Sequence, residues 1–273
     1  MKFRTELKNY QSKEIISYSK KILCIGSCFA EHLHRYLINM KFQSFLNPCG
    51  ISYNPISISN SIYYFLGLSE IQPTDFIENQ GIYAHHDFHS DFSGLSKESV
   101  VQNVENKIAE AKAFGIPDIL IISLGSAYTY FLKDKNEAVN NCHKVPQDHF
   151  IKRRLNVDEV VEVLKASFQE LLRLNQNLEI ILTVSPVRHL RDGMINNNRS
   201  KSTLLLAVAE FDNVTYFPSY ELLLDDLRDY RYFRDDMVHP SKKAIDYILD
   251  YFVGQCFSSS ESSIRDRVAD LQR

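Results

Sequence analysis

The amino-acid sequence predicts a doubly wound α/β fold, a three-layer structure in which helices cover both faces of a parallel β-sheet. Short apolar runs rich in isoleucine and leucine alternate along the chain with longer stretches of helical periodicity. Glycine or proline follows directly or closely after most of these apolar runs, as is typical of strands that stop at the edge of a sheet.

The alternation also predicts the order of the elements. The predicted strands are 21–25, 42–46, 118–124, 178–184 and 213–217. The predicted helices are 28–40, 100–114, 156–174, 200–211 and 241–257. Because strands separated by helices pair in parallel through right-handed crossovers, we expect the flavodoxin-like spatial order 2-1-3-4-5.

The length of 273 residues suits one α/β domain that spans 1–273. Two regions do not fit the alternation. The segment at about 47–95 is aromatic and rich in turn residues, and we expect it to form loops and a small insertion over the carboxyl edge of the sheet. The polar chain after about residue 258 is expected to fray or to form a short exposed helix.

Composition excludes several classes of function. The net charge of -3 lacks the positive excess of a nucleic-acid binder. We expect no membrane span and no signal peptide, because the chain has no apolar stretch of the required length. Five irregularly spaced cysteines argue against a disulfide framework and against a structural zinc site. These features together predict a cytoplasmic protein.

No cofactor or metal is expected. The chain has no glycine-rich phosphate loop and no clustered carboxylates. His85, His86 and His89 lie close to Asp87, but their spacing fits no standard zinc pattern. We interpret them as polar loop residues that line a cleft.

Polar residues follow the predicted strands, and in an open α/β sheet ligands bind where the carboxyl ends of the strands meet. Gly26, Ser27 and Cys28 come after the first strand, and Gly125 and Ser126 come after 118–124. This convergence predicts that the functional site lies at this edge.

Arg188 and His189 follow strand 178–184. They are candidates for holding a carboxylate or sugar hydroxyls. A structural salt bridge is an equally good interpretation.

Asp236 and His239 form a D-x-x-H pattern near the end of the chain. In such a turn a carboxylate can orient one imidazole nitrogen and leave the other free to act as a base. The simpler interpretation is an N-terminal cap for the last helix.

Ser27 and Cys28 are both candidate nucleophiles at a strand-to-helix turn. The N-terminus of the helix offers free N–H groups, and its partial positive charge is expected to lower the pKa of Cys28. In the simpler interpretation Ser27 caps the helix and Cys28 is a small buried hydrophobe.

The order of these motifs resembles one known family. The five residues Gly-Ser-Cys-Phe-Ala that give this family its name are all present at 26–30. Blocks similar to other stretches of the family follow at 47–50, 53–55, 125–127, 142–146, 185–189, 200–202 and 236–240. The chain thus resembles the GSCFA family, a branch of the SGNH-hydrolase superfamily, over nearly all of 20–255. The resemblance implies an SGNH-hydrolase type of sheet and a nucleophile–His239–Asp236 mechanism. Alignment without a gap makes Cys28 the nucleophile, and a shift of one residue makes it Ser27.

The resemblance also implies an oxyanion hole, which SGNH enzymes build from the nucleophile's N–H, a glycine N–H and an asparagine. Gly50 and Gly125 match the glycines, whereas Ala127 occupies the position of the asparagine. Asn54, Ser126 and His143 are the alternative donors, and His143 is also a candidate for substrate binding.

Two functional hypotheses follow. In the first, the protein is an acyl esterase or O-acyltransferase that acts on a small-molecule ester or acyl donor, with an acylated carbohydrate suggested by SGNH relatives alone. In the second, it is a non-catalytic ligand-binding module that keeps the cleft. The sequence does not indicate an oligomeric state.

Overall fold

The computed structural model describes residues 4–7 and 15–272. The strands in chain order are β1 (Lys21–Gly26), β2 (Gln43–Leu46), β3 (Phe76–Asn79), β4 (Ile82–His85), β5 (Ile119–Leu124), β6 (Tyr128–Leu132), β7 (Ala138–Val139), β8 (Phe150–Arg154), β9 (Glu179–Val184) and β10 (Thr215–Tyr216). The helices are α1 (Cys28–Asn39), α2 (Pro55–Leu66), α3 (Lys97–Phe114), α4 (Val157–Leu174), α5 (Gly193–Ala209), α6 (Ser219–Glu221), α7 (Lys242–Cys256) and α8 (Ser262–Leu271).

The central sheet is parallel throughout, in the order β2-β1-β5-β9-β10. This order confirms the predicted doubly wound topology. All six residues of β5 are buried, because this strand lies in the middle of the sheet and is covered on both faces. Full burial of one isoleucine or leucine side chain contributes about 1.5–3 kcal/mol to folding, so β5 is a major source of core stability.

Alternate side chains of each central strand pack against two different layers of helices. Leu23 and Leu120 belong to the hydrophobic cluster that includes α2, α4 and α5, whereas Ile22 and Ile119 belong to the cluster that includes α1 and α7. The side chains of a strand point alternately to opposite faces, so the continuous apolar runs supply both layers. This arrangement gives the expected three-layer structure.

The segment at 47–95 contains more regular structure than the predicted loops. The N-cap of helix α2 is Asn54, whose side chain accepts from Ser57 N–H, and Pro55 occupies the first helical position. The helix ends at Gly67, which adopts the left-handed conformation. These are ordinary helix-start and helix-stop signals. The antiparallel pair β3–β4 follows α2.

A three-stranded antiparallel sheet in the order β7-β6-β8 lies between β5 and α4 in the chain, where the sequence pattern predicts no strand. Burial alternates residue by residue along β6, which is the pattern of a strand with one covered face. Helix α5 begins earlier than expected, because the asparagine-rich start of this helix carries no apolar period. Helix α8 is the short exposed helix that the polar tail predicts.

Every helix between residues 15 and 272 is too short or too polar to span the hydrocarbon core of a membrane.

Candidate functional site

The turn after β1 is shaped by close contact between neighbouring strands. Gly26 has φ +131°, and a Cβ at this position would lie 2.2 Å from the carbonyl oxygen of Ser123 on β5. Only glycine tolerates this combination of dihedral angle and contact. The chain therefore turns sharply at Gly26, and Ser27 becomes the N-cap residue of α1.

Ser27 faces the interior of the protein. Its side chain is 2% exposed, and its Oγ lies 2.8 Å from Ser123 Oγ. Its N–H donates to the Ser123 carbonyl at 3.1 Å. Ser27 does not cap α1 through its side chain, which differs from the simpler interpretation of the sequence. These bonds join β1 to β5 and turn the hydroxyl away from the cleft.

Cys28 and His239 line one cavity of about 260 Å³ at the carboxyl edge of the sheet. The other polar residues of this cavity are Glu31, His32, Ser185 and Arg234. Its apolar wall consists of Phe29, Pro186, Val187, Pro240, Ile245 and Ile248. Ser27 is not among the lining residues. The two distant motifs of the sequence therefore meet here, and of the two candidate nucleophiles it is Cys28 that shares a surface with His239.

Asp236 and His239 form an oriented pair. Asp236 Oδ2 lies 2.7 Å from His239 Nδ1, and Asp236 Oδ1 accepts the backbone N–H groups of Val238 at 2.8 Å and His239 at 2.9 Å. The backbone donors of His239 and Val238, followed by the imidazole, lower the pKa of Asp236 to about 2. An ionised carboxylate only accepts, so the proton of a neutral imidazole sits on Nδ1 and Nε2 presents a lone pair. This is the arrangement that a general base requires.

The turn that carries this pair is held by further hydrogen bonds. Arg234 N–H donates to the carbonyl of His239 at 2.8 Å, and Arg234 Nε donates to the carbonyl of Pro240 at 3.2 Å. Ser241 caps α7 by accepting from Ala244 N–H. The helix cap that the sequence suggested for Asp236 is therefore supplied by Ser241, and Asp236 remains directed at His239.

Cys28 is a thiol of raised rather than lowered pKa. Burial raises its pKa, and the charge of Glu31 raises it further, while the Cys28 N–H and the charge of Arg234 act in the opposite direction. The expectation that the N-terminus of α1 gives a low pKa at Cys28 was wrong, because desolvation exceeds the effect of the helix end here. Attack by Cys28 therefore needs a base that removes the thiol proton.

The predicted oxyanion donors are engaged elsewhere. Gly50 N–H donates to the carbonyl of Asn47 at 2.9 Å, and the N–H groups of Gly125 and Ser126 both donate to the carbonyl of Tyr53, at 2.8 Å and 2.9 Å. The loops after β2 and β5 pack against each other, so the backbone donors are used to join them. All three N–H groups thus have backbone acceptors, and their role as oxyanion donors stays a prediction.

The two candidate side-chain donors also have structural roles. The Asn54 amide accepts from Ser57 N–H at 2.9 Å and donates to Ser57 Oγ at 2.9 Å, which caps α2. Ser126 Oγ lies 3.2 Å from Ser200 Oγ and accepts from Tyr128 N–H. Neither residue lines the cavity of Cys28 and His239.

The predicted substrate-binding residues are dispersed. Arg188 stacks over Phe233, with 4.7 Å from its Cζ to the ring centroid, and lines an adjoining cavity of about 330 Å³ that shares Pro186 with the first. His189 packs edge-on against Tyr53 and lines neither cavity. Burial, followed by the charge of Lys201, lowers the pKa of His189 to about 4.

His143 lies away from both cavities. Its Nε2 donates to the carbonyl of His85 at 2.9 Å, and burial lowers its pKa to about 4. His143 does not line the cavity of Cys28 and His239, and its substrate contact stays a prediction. Among the described residues, no three His, Cys, Asp or Glu side chains gather as metal ligands.

Two residues near the cavity were not predicted from the sequence. Lys201 is 1% exposed, and its Nζ donates to the carbonyls of Gly125 and Ser185, each at 2.6 Å. Its position three residues before the buried Leu204 places it on the core face of α5, which is the signal that could have identified it. Arg234 lines the cavity, and its position two residues before Asp236 in the chain could have identified it as a site residue.

Comparison with known proteins adds a family to this geometry. The chain is similar to the solved structure of an acetyl xylan esterase from the rumen bacterium Butyrivibrio proteoclasticus, with 13% identity and a TM-score of 0.41. The match covers 89% of this chain and 66% of the esterase, so the chain spans slightly less than two thirds of that protein. No curated protein sequence matches the chain. The family model described as the GSCFA family matches residues 21–252, which confirms the resemblance drawn from the motifs: the chain belongs to the GSCFA family.

Proposed function

We propose that this protein is an acyl esterase or acyltransferase in which Cys28 is the nucleophile, His239 the general base and Asp236 the residue that orients His239. The observation that carries the proposal is the cavity shared by Cys28 and His239, whose imidazole is held by Asp236 at 2.7 Å. The SGNH resemblance of the D-x-x-H motif points to the same chemistry.

The first half of the reaction forms an acyl-enzyme. Cys28 Sγ attacks the acyl carbonyl carbon while the thiol proton moves to His239 Nε2. The new C–S bond sends the π electron pair to the carbonyl oxygen. Collapse of this intermediate breaks the ester C–O bond, and the leaving alkoxide takes the proton from His239.

The second half of the reaction releases the acyl group. Water or an acceptor alcohol attacks the thioester, and its proton moves to His239. The C–S bond then breaks, and the Cys28 sulfur recovers the proton. Asp236 stabilises the imidazolium that forms in each half.

The cavity indicates a small acyl group. Its volume of about 260 Å³ and its wall of Phe29, Val187, Ile245 and Ile248 leave room for a short apolar chain rather than a long one. We therefore propose a small-molecule ester or acyl donor as the substrate. The resemblance to SGNH hydrolases supports a carbohydrate acceptor, and the five irregularly spaced cysteines support a cytoplasmic location.

The test is turnover of p-nitrophenyl acetate together with mass spectrometry of the quenched reaction. The wild-type protein should release p-nitrophenol and carry one acetyl group on the Cys28 peptide, and both signals should be lost in Cys28→Ala. Cys142→Ala is the matched control, because Cys142 is a half-buried thiol outside the cavity.

A non-catalytic binding module is the second candidate function, and the occupied N–H groups of Gly50 and Gly125 favour it. A wild-type protein without turnover and without an acetyl adduct, but with a higher Tm in the presence of an acetylated sugar, would establish this alternative. The same outcome would exclude the acyl-transfer proposal.

A further inference from the structure

Attack on an acyl carbonyl creates a negative oxygen, and the predicted backbone donors for it have acceptors already. In enzymes where one such donor has been removed, kcat falls by about 10²–10³. If Cys28 attacks an ester in this cavity, another positive or hydrogen-bond-donating group must face the reacting oxygen.

Arg234 is the arginine that lines the same cavity as Cys28 and His239. Its Nε donates to the carbonyl of Pro240, and its backbone N–H donates to the carbonyl of His239, so the side chain is tied to the turn that carries the general base. Within residues 15–272, Arg234 forms no salt bridge that would neutralise its charge.

The charge of Arg234 also reaches the sulfur. It lowers the pKa of Cys28, in opposition to burial and to Glu31. A positive group that stabilises a thiolate at Cys28 is also placed to stabilise an oxyanion two bonds away from the sulfur. The planar guanidinium keeps its terminal N–H donors while Nε is held by Pro240.

The first turn of α1 provides a second donor. Among the described residues, Ser27 N–H and Ala30 N–H have backbone acceptors, whereas Cys28 N–H has none. Such N–H groups at a helix start favour negative charge. Cys28 and Arg234, the residues that carry this N–H and the guanidinium, both line the cavity.

We propose that Arg234 is a catalytic residue whose guanidinium, together with the N–H of Cys28, binds the oxyanion formed during acyl transfer. This inference rests on the proposed function of the cavity. The guanidinium takes the place of the glycine and asparagine donors that the family resemblance implied. Arg234 then stabilises the charged transition state and not the uncharged substrate.

The experiment compares wild type, Arg234→Gln, Arg234→Lys and Arg231→Gln with p-nitrophenyl acetate as substrate. Arg231 is the matched control, because it is an exposed arginine nearby in the chain that pairs with Asp229 and does not line the cavity. We expect kcat of Arg234→Gln to fall by about 10²–10³ with little change in KM, because the oxyanion exists only after attack. Arg234→Lys should recover part of the loss, and Arg231→Gln should match wild type.

A second measurement follows the charge at Cys28 without turnover. Iodoacetate and iodoacetamide alkylate the same thiol but differ in charge, so the ratio of their rates at the Cys28 peptide reports a nearby cation. We expect this ratio to fall in Arg234→Gln and to stay unchanged in Arg231→Gln. Unchanged melting temperatures would show that all variants are folded.

The outcomes separate the two proposals. A wild-type protein that does not turn over the ester overturns the proposed function and this inference with it. An active wild type with an equally active Arg234→Gln overturns only the role of Arg234. A rise in KM with unchanged kcat would also contradict this role, since that result would mean that Arg234 binds the substrate and not the oxyanion.

Discussion

The hydroxyls of Ser27 and Ser123 lie 2.8 Å apart where β1 and β5 end side by side. Both side chains are buried, at 2% and 0% exposure, so each hydroxyl depends on the other for a partner. This bond directs Ser27 into the sheet and leaves the next residue, Cys28, at the surface of the cavity. A contact between strands thus explains why Cys28, and not Ser27, lines the cavity with His239.

Ser27→Ala and Cys28→Ala should have opposite effects. Ser27→Ala leaves a buried hydroxyl on Ser123 without its partner, which costs about 1–3 kcal/mol, but it should retain acyl-transfer activity. Cys28→Ala should lose activity while the free energy of unfolding changes less. Urea denaturation and turnover of p-nitrophenyl acetate measure the two effects. An inactive but fully stable Ser27→Ala protein would mean that Ser27, and not Cys28, is the nucleophile.

Asp236→Asn should reduce turnover while the fold is maintained. The asparagine carbonyl can still accept the backbone N–H groups of Val238 and His239, but its amide group cannot accept from His239 Nδ1 in the way that the carboxylate does. We expect kcat to fall by at least about 100-fold, the usual contribution of a general base. The control is Asp235→Asn, a change at the neighbouring exposed carboxylate. Equal activity in all three proteins would contradict the orienting role of Asp236.

Lys201 should make the stability of the protein increase with pH. Burial lowers the pKa of Lys201 from 10.5 to about 7. Between these two values the unfolded chain holds a proton that the folded protein lacks, so raising the pH favours folding, by at most about 1.4 kcal/mol per pH unit. The destabilising effect of charging Lys201 is complete below pH 7 and disappears toward pH 10.5.

The measurement for Lys201 is the free energy of unfolding of wild type and Lys201→Met from pH 7 to pH 10. The difference between the two proteins should change in favour of wild type as the pH rises. His189, the neighbouring group with a pKa of about 4, stays neutral throughout and does not disturb the comparison. Parallel curves for the two proteins would show that Lys201 does not change protonation on folding.

Gly26→Ala should be strongly destabilising. The added Cβ would lie 2.2 Å from the Ser123 carbonyl oxygen, and φ is +131°. Strain and overpacking together should cost at least about 3 kcal/mol. Gly254→Ala in α7 is the contrasting control, because no atom beyond its chain neighbours and the backbone of its own helix lies within 4 Å of the added Cβ, and it should stabilise the protein by about 0.5–1 kcal/mol. Chemical denaturation of both variants checks the prediction, which a stable Gly26→Ala protein would contradict.

The fold could be predicted because local patterns and global packing agree in the central sheet. A run such as 118–124 is apolar on both faces, and this property alone indicates a strand covered by helices on both sides. Helix α2 and the strands β6 to β8 were missed. Serine and asparagine interrupt the apolar residues of α2, and the strands are only two to five residues long. Their stability comes from contacts with distant segments, as for Ile58 and Ile62 of α2 in the main core.

The candidate site could be predicted in part. Asp236 and His239 interact within one turn, so their spacing in the chain largely determines the geometry of the pair. The oxyanion donors depend instead on how separate loops meet. Gly125 N–H donates to Tyr53, and the Lys201 side chain donates to the Gly125 carbonyl, contacts that no local pattern reveals.

The amino-acid sequence by itself determined the strands of the central sheet, their parallel order and the residue types that reach the carboxyl edge, because periodicity and turn residues act over short distances. Only the tertiary structure decided that Cys28 rather than Ser27 lines the cavity with His239, and that Arg234 joins them. The physical reason is that the direction of a side chain at a strand end depends on its neighbours in space. Ser123, whose hydroxyl turns Ser27 inward, lies on a strand that is distant in the chain.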